Sequence, residues 1–173
     1  MVAVHALILG GARSGKSALA ERMAADFGAR VLYVATANIS GDEDLARRVR
    51  EHRERRPASW GTVEAGEDLA LALKSAEDWD AALVDSLTLW VSARMFAGES
   101  EEETLREFDG FLGAAEKSPA SLILVSDEVG FGVVPESAAG RRFRDRLGLV
   151  NQRAATAAEQ VHLSIAGVGV RVK

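Results

Sequence analysis

The run Gly10-Gly11-Ala12-Arg13-Ser14-Gly15-Lys16-Ser17 satisfies the pattern GxxxxGK[ST] and constrains the fold more than any other stretch of the chain. Its glycines let the backbone curl until successive N–H groups converge on phosphate oxygens. Such a cradle needs a strand before it and a helix after it, whose N-terminal partial charge faces the anion. Lys16 then reaches the β- and γ-phosphates, and the Ser17 hydroxyl can ligate Mg²⁺. The flanks meet this demand. Val2–Leu9 is a short apolar run that reads as a buried strand, and Ser17–Phe27 carries Leu19, Ala20, Met23, Ala24 and Phe27 as a helical stripe closed by Gly28. A nucleoside triphosphate site is the expectation.

The pattern continues along the chain. Arg30–Ala35, Ala81–Asp85, Ser121–Ser126 and a stretch near Gln160–Ile165 read as strands. Asp42–Arg55, stopped by Pro57, reads as a helix, as do Asp68–Ala76, Leu87–Phe96 and Glu101–Glu116. A long helix follows over Ser137–Glu159, with Gly148 as a candidate break, and a terminal apolar pair sits around Val170–Val172. Asp127–Glu136, with its glycines and proline, reads as a loop. Strands alternating with helices predict an α/β fold: a mostly parallel sheet with helices on both faces. Neither a repeat nor a linker interrupts residues 1–173, so a single domain is expected.

Composition narrows the function classes. A net charge of −5 gives no general attraction to nucleic acid or to an anionic membrane. The absence of cysteine excludes disulfides, thiolate zinc sites and cysteine nucleophiles. No apolar run approaches the ~18 residues of a membrane helix, and no basic stretch precedes Val2 as a signal peptide would require. A cytoplasmic enzyme is the expected setting.

Three further features bear on chemistry. Asp85 ends the strand AALVD, where an acidic side chain can hold a metal through water, although an aspartate there can equally cap the helix starting at Leu87. Glu128 also follows an apolar strand, but spacing assigns it no partner. On the Asp42–Arg55 helix, Leu45, Val49 and His52 share one face, beside the basic run RRVREHRERR of Arg47–Arg56. An inward imidazole flanked by guanidiniums suits nucleophilic attack on phosphorus. From spacing alone, a solvated charge-alternating helix is the simpler reading. His5 and His162 lie in predicted strands and read as structural.

With these segments side by side, the chain resembles the bifunctional adenosylcobinamide kinase/adenosylcobinamide-phosphate guanylyltransferase family of cobalamin biosynthesis. The resemblance is carried by GGARSGKS (Gly10–Ser17), VLYVATA (Val31–Ala37), DEDLARRVREHRERRPASW (Asp42–Trp60), VDSLTLWVS (Val84–Ser92), SDEVGFGVVPE (Ser126–Glu136) and GRRFRDRLGLVNQ (Gly140–Gln152), and it runs on to the closing AGVGVRVK. It implies a RecA-like P-loop fold and a homotrimer. It also implies phosphorylation of adenosylcobinamide from ATP or GTP, followed by transfer of GMP from GTP through a guanylylated histidine. His52 matches that carrier, which reverses the reading from spacing. The implied nucleotide contacts fall on Gly10, Gly11, Ala12, Arg13, Ser14, Gly15, Lys16, Ser17, Thr36, Ala37, Asn38, Arg53, Glu54, Arg55, Arg56, Glu64 and Asp85. Lys16 joins His52 in catalysis, and Ser17 with Asp85 would hold Mg²⁺. The corrinoid is the implied partner, too large for one nucleotide cleft and expected to need added surface at a subunit boundary. Ser86 and Ala93 stand where the family often has cysteine and asparagine, Asp127 stands where asparagine is usual, and Gly41 alters the acidic pair before the helix. Two rival readings remain at this point: a P-loop small-molecule kinase without a covalent intermediate, and a nucleotide-gated interaction module.

Overall fold

A computed structural model describes residues 4–36, 47, 56–66 and 68–173. Strand β1 (Val4–Gly10) leads through the glycine-rich turn into helix α1 (Lys16–Ala25) and strand β2 (Val31–Ala35). Strand β3 (Gly61–Glu64), helix α2 (Leu69–Lys74), strand β4 (Ala81–Asp85) and helices α3 (Leu87–Phe96) and α4 (Glu101–Ala115) come next. Strand β5 (Ser121–Asp127), helix α5 (Ala138–Ala157) and the pair β6 (Ala158–Ile165) and β7 (Val168–Arg171) complete the chain. The seven strands form one sheet in the order β3-β2-β4-β5-β1-β6-β7. Every neighbour pair is parallel except β6 with β7. A strand, β5, separates the P-loop strand β1 from β4, which carries Asp85; this is the strand order of a RecA-like sheet.

The central strands are apolar throughout because helices cover both of their faces. On one face Ile8, Tyr33, Leu83, Ile123 and Val125 pack against Ala20 and Ala24 of α1. On the other, Leu7, Val34, Val84, Leu122 and Leu124 meet Leu73 of α2, Trp90 of α3, Phe108 and Phe111 of α4, and Leu147 and Val150 of α5. Helix α4 starts with a full capping box, in which Ser100 Oγ accepts from Glu103 N at 3.2 Å and Glu103 Oε2 accepts from Ser100 N at 2.7 Å.

The expected α/β architecture is present, with corrections at its edges. Strand β3 was not anticipated: its four residues, GTVE, alternate between half-buried and exposed at the sheet edge. Helix α5 runs unbroken through Gly148, ends at Ala157, and passes directly into β6. The terminal apolar residues form an antiparallel hairpin whose turn places Ala166 (φ 51°) and Gly167 (φ 85°) in the left-handed region, as a tight two-residue turn requires. Of the predicted Asp42–Arg55 helix only Arg47 is described, and it is helical and exposed.

Candidate functional site

The P-loop has the backbone of an anion cradle. Arg13 (φ 56°) and Gly15 (φ 90°) are left-handed, so the chain turns twice between β1 and α1, the backbone alternation from which anion-binding nests are made. Gly15 caps α1 and no side chain caps that end, which leaves the first-turn N–H groups for an outside acceptor. A Cβ on Gly15 would lie 3.0 Å from Gly167 Cα. One on Gly10 would lie 2.4 Å from Ser14 Oγ and 2.6 Å from the Ser164 carbonyl oxygen. The C-terminal hairpin therefore clasps the loop: Ser14 O accepts from Gly167 N and from Ser164 Oγ, both at 2.8 Å. Ser14 is buried, while Gly11, Ala12 and Arg13 lie exposed at the mouth.

Lys16 is already engaged. Its Nζ sits 2.5 Å from Asp127 Oδ1 at the end of β5 and donates to Gly11 O at 3.3 Å. Asp127 pairs in register with Gly10, and its backbone is fixed by Thr88 Oγ1, which accepts from its N–H at 2.8 Å, and by Asn151 Nδ2, which donates to its carbonyl at 3.1 Å. The sequence marked Asp127 only as a departure from a family pattern. Its contact with Lys16 follows from β5 lying beside β1, which spacing does not reveal.

Of the remaining predicted residues, Thr36, Glu64 and Asp85 lie along the same edge, at the carboxyl ends of the parallel strands, where ligands bind in open α/β sheets. Ala35 pairs with Asp85 on one side and Glu64 on the other. Thr36 follows Ala35, and its hydroxyl donates to Ser86 O at 2.7 Å and accepts from Ser86 N at 2.8 Å. Asp85 does not cap α3. That role falls to Ser86, whose side chain accepts from Leu89 N at 3.4 Å. Asp85 Oδ2 instead accepts from Tyr33 Oη at 2.9 Å. Arg56 stacks its guanidinium 3.2 Å above the Tyr33 ring and donates to Thr62 Oγ1 at 3.2 Å. Burial, and then the Asp85 charge, hold the Tyr33 phenol well above its ordinary range, so it stays a donor to that carboxylate. Tyr33 escaped the sequence reading because it looked like one more apolar strand residue. The available signal was its parity: Tyr33 pairs with Leu83, two residues before Asp85, on one sheet face.

Among the described residues no group of three or more His, Cys, Asp or Glu side chains could hold a metal. Oxygen donors at this edge include Ser17, Asp85 and Asp127, a set of the kind Mg²⁺ uses when phosphates and waters fill its other positions. Ala37, Asn38, His52, Arg53, Glu54 and Arg55 lie outside the described residues. His5 and His162 sit away from this edge: His5 Nδ1 is 3.2 Å from Glu159 Oε2, and His162 contacts Gln160 at 3.1 Å.

The model of the cobinamide kinase / cobinamide phosphate guanyltransferase family matches residues 6–172. The bifunctional adenosylcobalamin biosynthesis protein of Pseudomonas aeruginosa is 45% identical over 173 residues, covering 96% of each chain. Its namesakes in Salmonella typhimurium and Escherichia coli are 40% and 38% identical, over 96% of this chain and 98% of theirs. Among solved structures, the RadB recombinase aligns with a TM-score of 0.48 and 16% identity, over 93% of this chain and 74% of that one.

Proposed function

The chain belongs to the cobinamide kinase / cobinamide phosphate guanyltransferase family, and on that footing we propose that it performs both reactions in cobalamin biosynthesis. In the first, the hydroxyl of the aminopropanol arm of adenosylcobinamide takes the γ-phosphoryl group of ATP or GTP, and the nucleoside diphosphate leaves. In the second, a ring nitrogen of His52 attacks the α-phosphorus of GTP and pyrophosphate departs. An oxygen of the corrinoid phosphate then displaces the imidazole, giving adenosylcobinamide-GDP and restoring His52. A covalent carrier divides one difficult displacement into two easier ones.

The observation that carries this reading is a nested P-loop with Lys16 at its mouth, in a chain matched by the family across residues 6–172. The N–H groups of Gly10–Ser17 bind the phosphate tail, and Lys16 exchanges Asp127 for phosphate oxygens. Thr36, Ala37, Asn38, Arg53, Glu54, Arg55, Arg56, Glu64 and Asp85 complete the nucleotide contacts, and Tyr33 orients the Asp85 carboxylate. Ser17 and Asp85 would hold Mg²⁺, which when bound neutralises charge developing on the phosphates. The working assembly is a homotrimer in the cytoplasm.

Incubation with α-labelled GTP tests the covalent step. The protein should retain acid-labile, alkali-stable label, and His52→Ala should retain none. Label persisting in His52→Ala would remove His52 from the mechanism.

A further inference from the structure

A nucleotide cradle accounts for one substrate; the acceptor is a macrocycle that needs a broad seat within reach of Lys16. Two grooves on the described surface run between α4 and α5 and between α2 and α4, and neither is lined by a P-loop residue. The segment joining β5 to α5 is placed differently. It begins one residue after Asp127, the partner of Lys16, and Glu128 N donates to Gly10 O at 3.1 Å. Its start is folded by Glu128 Oε1, which accepts from Gly130 N at 2.6 Å. Its end is pinned by Arg141 Nη1, which donates to Pro135 O at 2.9 Å and to Glu136 O at 2.6 Å.

Between these anchors the loop presents apolar side chains to solvent: Phe131 is 83% exposed, Val133 96% and Val134 61%. Three exposed apolar side chains within four residues of an anchored loop are a candidate contact surface. We propose that this loop, residues 128–136, is the seat of the corrinoid macrocycle, with an apolar ring face over Phe131 and Val133 and the aminopropanol arm directed at Lys16. This inference rests on the proposed function, which supplies the corrinoid. The apolar chemistry matches. A corrin ring offers methyl-bearing apolar faces and a rim of amides. The loop offers an aromatic and two valines, and a Cβ built on Gly132 would meet nothing within 4 Å. Its first residue is tied to Gly10, one position after the Asp127 that meets Lys16.

A second exposed apolar set, Ile165, Val168, Val170 and Val172, lies on the C-terminal hairpin. Because β7 runs antiparallel to β6, its successive valines fall farther from the strand ends that carry the P-loop. That row suits the acceptor less well.

The test is equilibrium binding of adenosylcobinamide, and separately of GTP with Mg²⁺, to the full chain and to two surface variants. Phe131→Ser/Val133→Ser should weaken corrinoid binding about tenfold or more, as loss of an aromatic anchor does, and leave GTP affinity unchanged. Val170→Ser/Val172→Ser should bind both as wild type does. Wild-type corrinoid affinity in the Phe131 variant overturns the inference, as does a change in its oligomeric state without a change in corrinoid binding, which would make the loop a contact between copies. A wild-type protein that binds GTP but no corrinoid would instead remove the proposed function, and this inference with it.

Discussion

Asp127→Asn should tighten GTP binding in the absence of divalent cations. Lys16 Nζ lies 2.5 Å from Asp127 Oδ1, with the two side chains 13% and 26% exposed. A triphosphate must replace that carboxylate before Lys16 can contact a phosphate oxygen. A charged hydrogen bond is worth about 1.5–3 kcal/mol net, and partial solvent screening moves this pair to the lower end. The asparagine amide still accepts from the ammonium, but a neutral acceptor holds it about half as strongly. The released difference is therefore about 1 kcal/mol, or roughly five- to tenfold in Kd. Loss of repulsion between Asp127 and the bound phosphates acts in the same direction. The fold should survive, because Thr88 and Asn151 bond the backbone of residue 127 and not its side chain. Calorimetric titration of GTP in a chelator at fixed ionic strength reads the effect. In a Lys16→Ala background the gain should shrink, since only the repulsion remains to be relieved. Unchanged or weaker binding in Asp127→Asn would refute the competition between carboxylate and phosphate.

Gly10→Ala forces a Cβ to within 2.4 Å of Ser14 Oγ and 2.6 Å of the Ser164 carbonyl; it should cost about 1–3 kcal/mol in urea unfolding, and wild-type stability would show that the hairpin does not hold the loop tightly. Thr36→Val removes both hydroxyl bonds to Ser86 and strands a buried N–H, with a loss of about 1–3 kcal/mol by the same assay and weaker GTP binding. Burial, then Arg171 and His5, lower the His162 pKa from its ordinary 6.5. The unfolded chain therefore takes up that proton more readily than the native one, and native stability falls as pH drops below about 6.5. His162→Gln should flatten the fall, with His5 and its partner Glu159 left in place; an identical pH profile would assign the acid sensitivity elsewhere.

What the sequence disclosed, and what it withheld, follows from the range of the interactions. The P-loop is a local device: its strand, turn and helix are contiguous, so GGARSGKS declares itself. The strands carrying Val34, Val84 and Leu124 were legible because burial on both faces makes them apolar along their length. Strand β3 was not, since GTVE at a sheet edge has too few apolar residues to stand out from a loop. The hairpin was read only as a terminal apolar pair because exposed edge strands lack a burial pattern. Gly148 looked like a break, yet α5 is secured by Leu147, Val150 and Ala154, whose packing outweighs one glycine's propensity. At the site, the family resemblance pointed to Asp85, Thr36 and Glu64 as nucleotide contacts, and strand pairing sets Asp85 and Glu64 on either side of Ala35. Tyr33 and Ser86, which bond Asp85 and Thr36, and Asp127, which meets Lys16, were hidden because strand order, and not spacing, decides which side chains meet.

The most direct measurement is product analysis by mass after incubating the protein with adenosylcobinamide, GTP and Mg²⁺. Successive appearance of adenosylcobinamide phosphate with GDP, then adenosylcobinamide-GDP with pyrophosphate, is the predicted result. Release of GDP alone with the corrinoid stopping at the phosphate, or no corrinoid product at all, would contradict a two-step enzyme built on this P-loop.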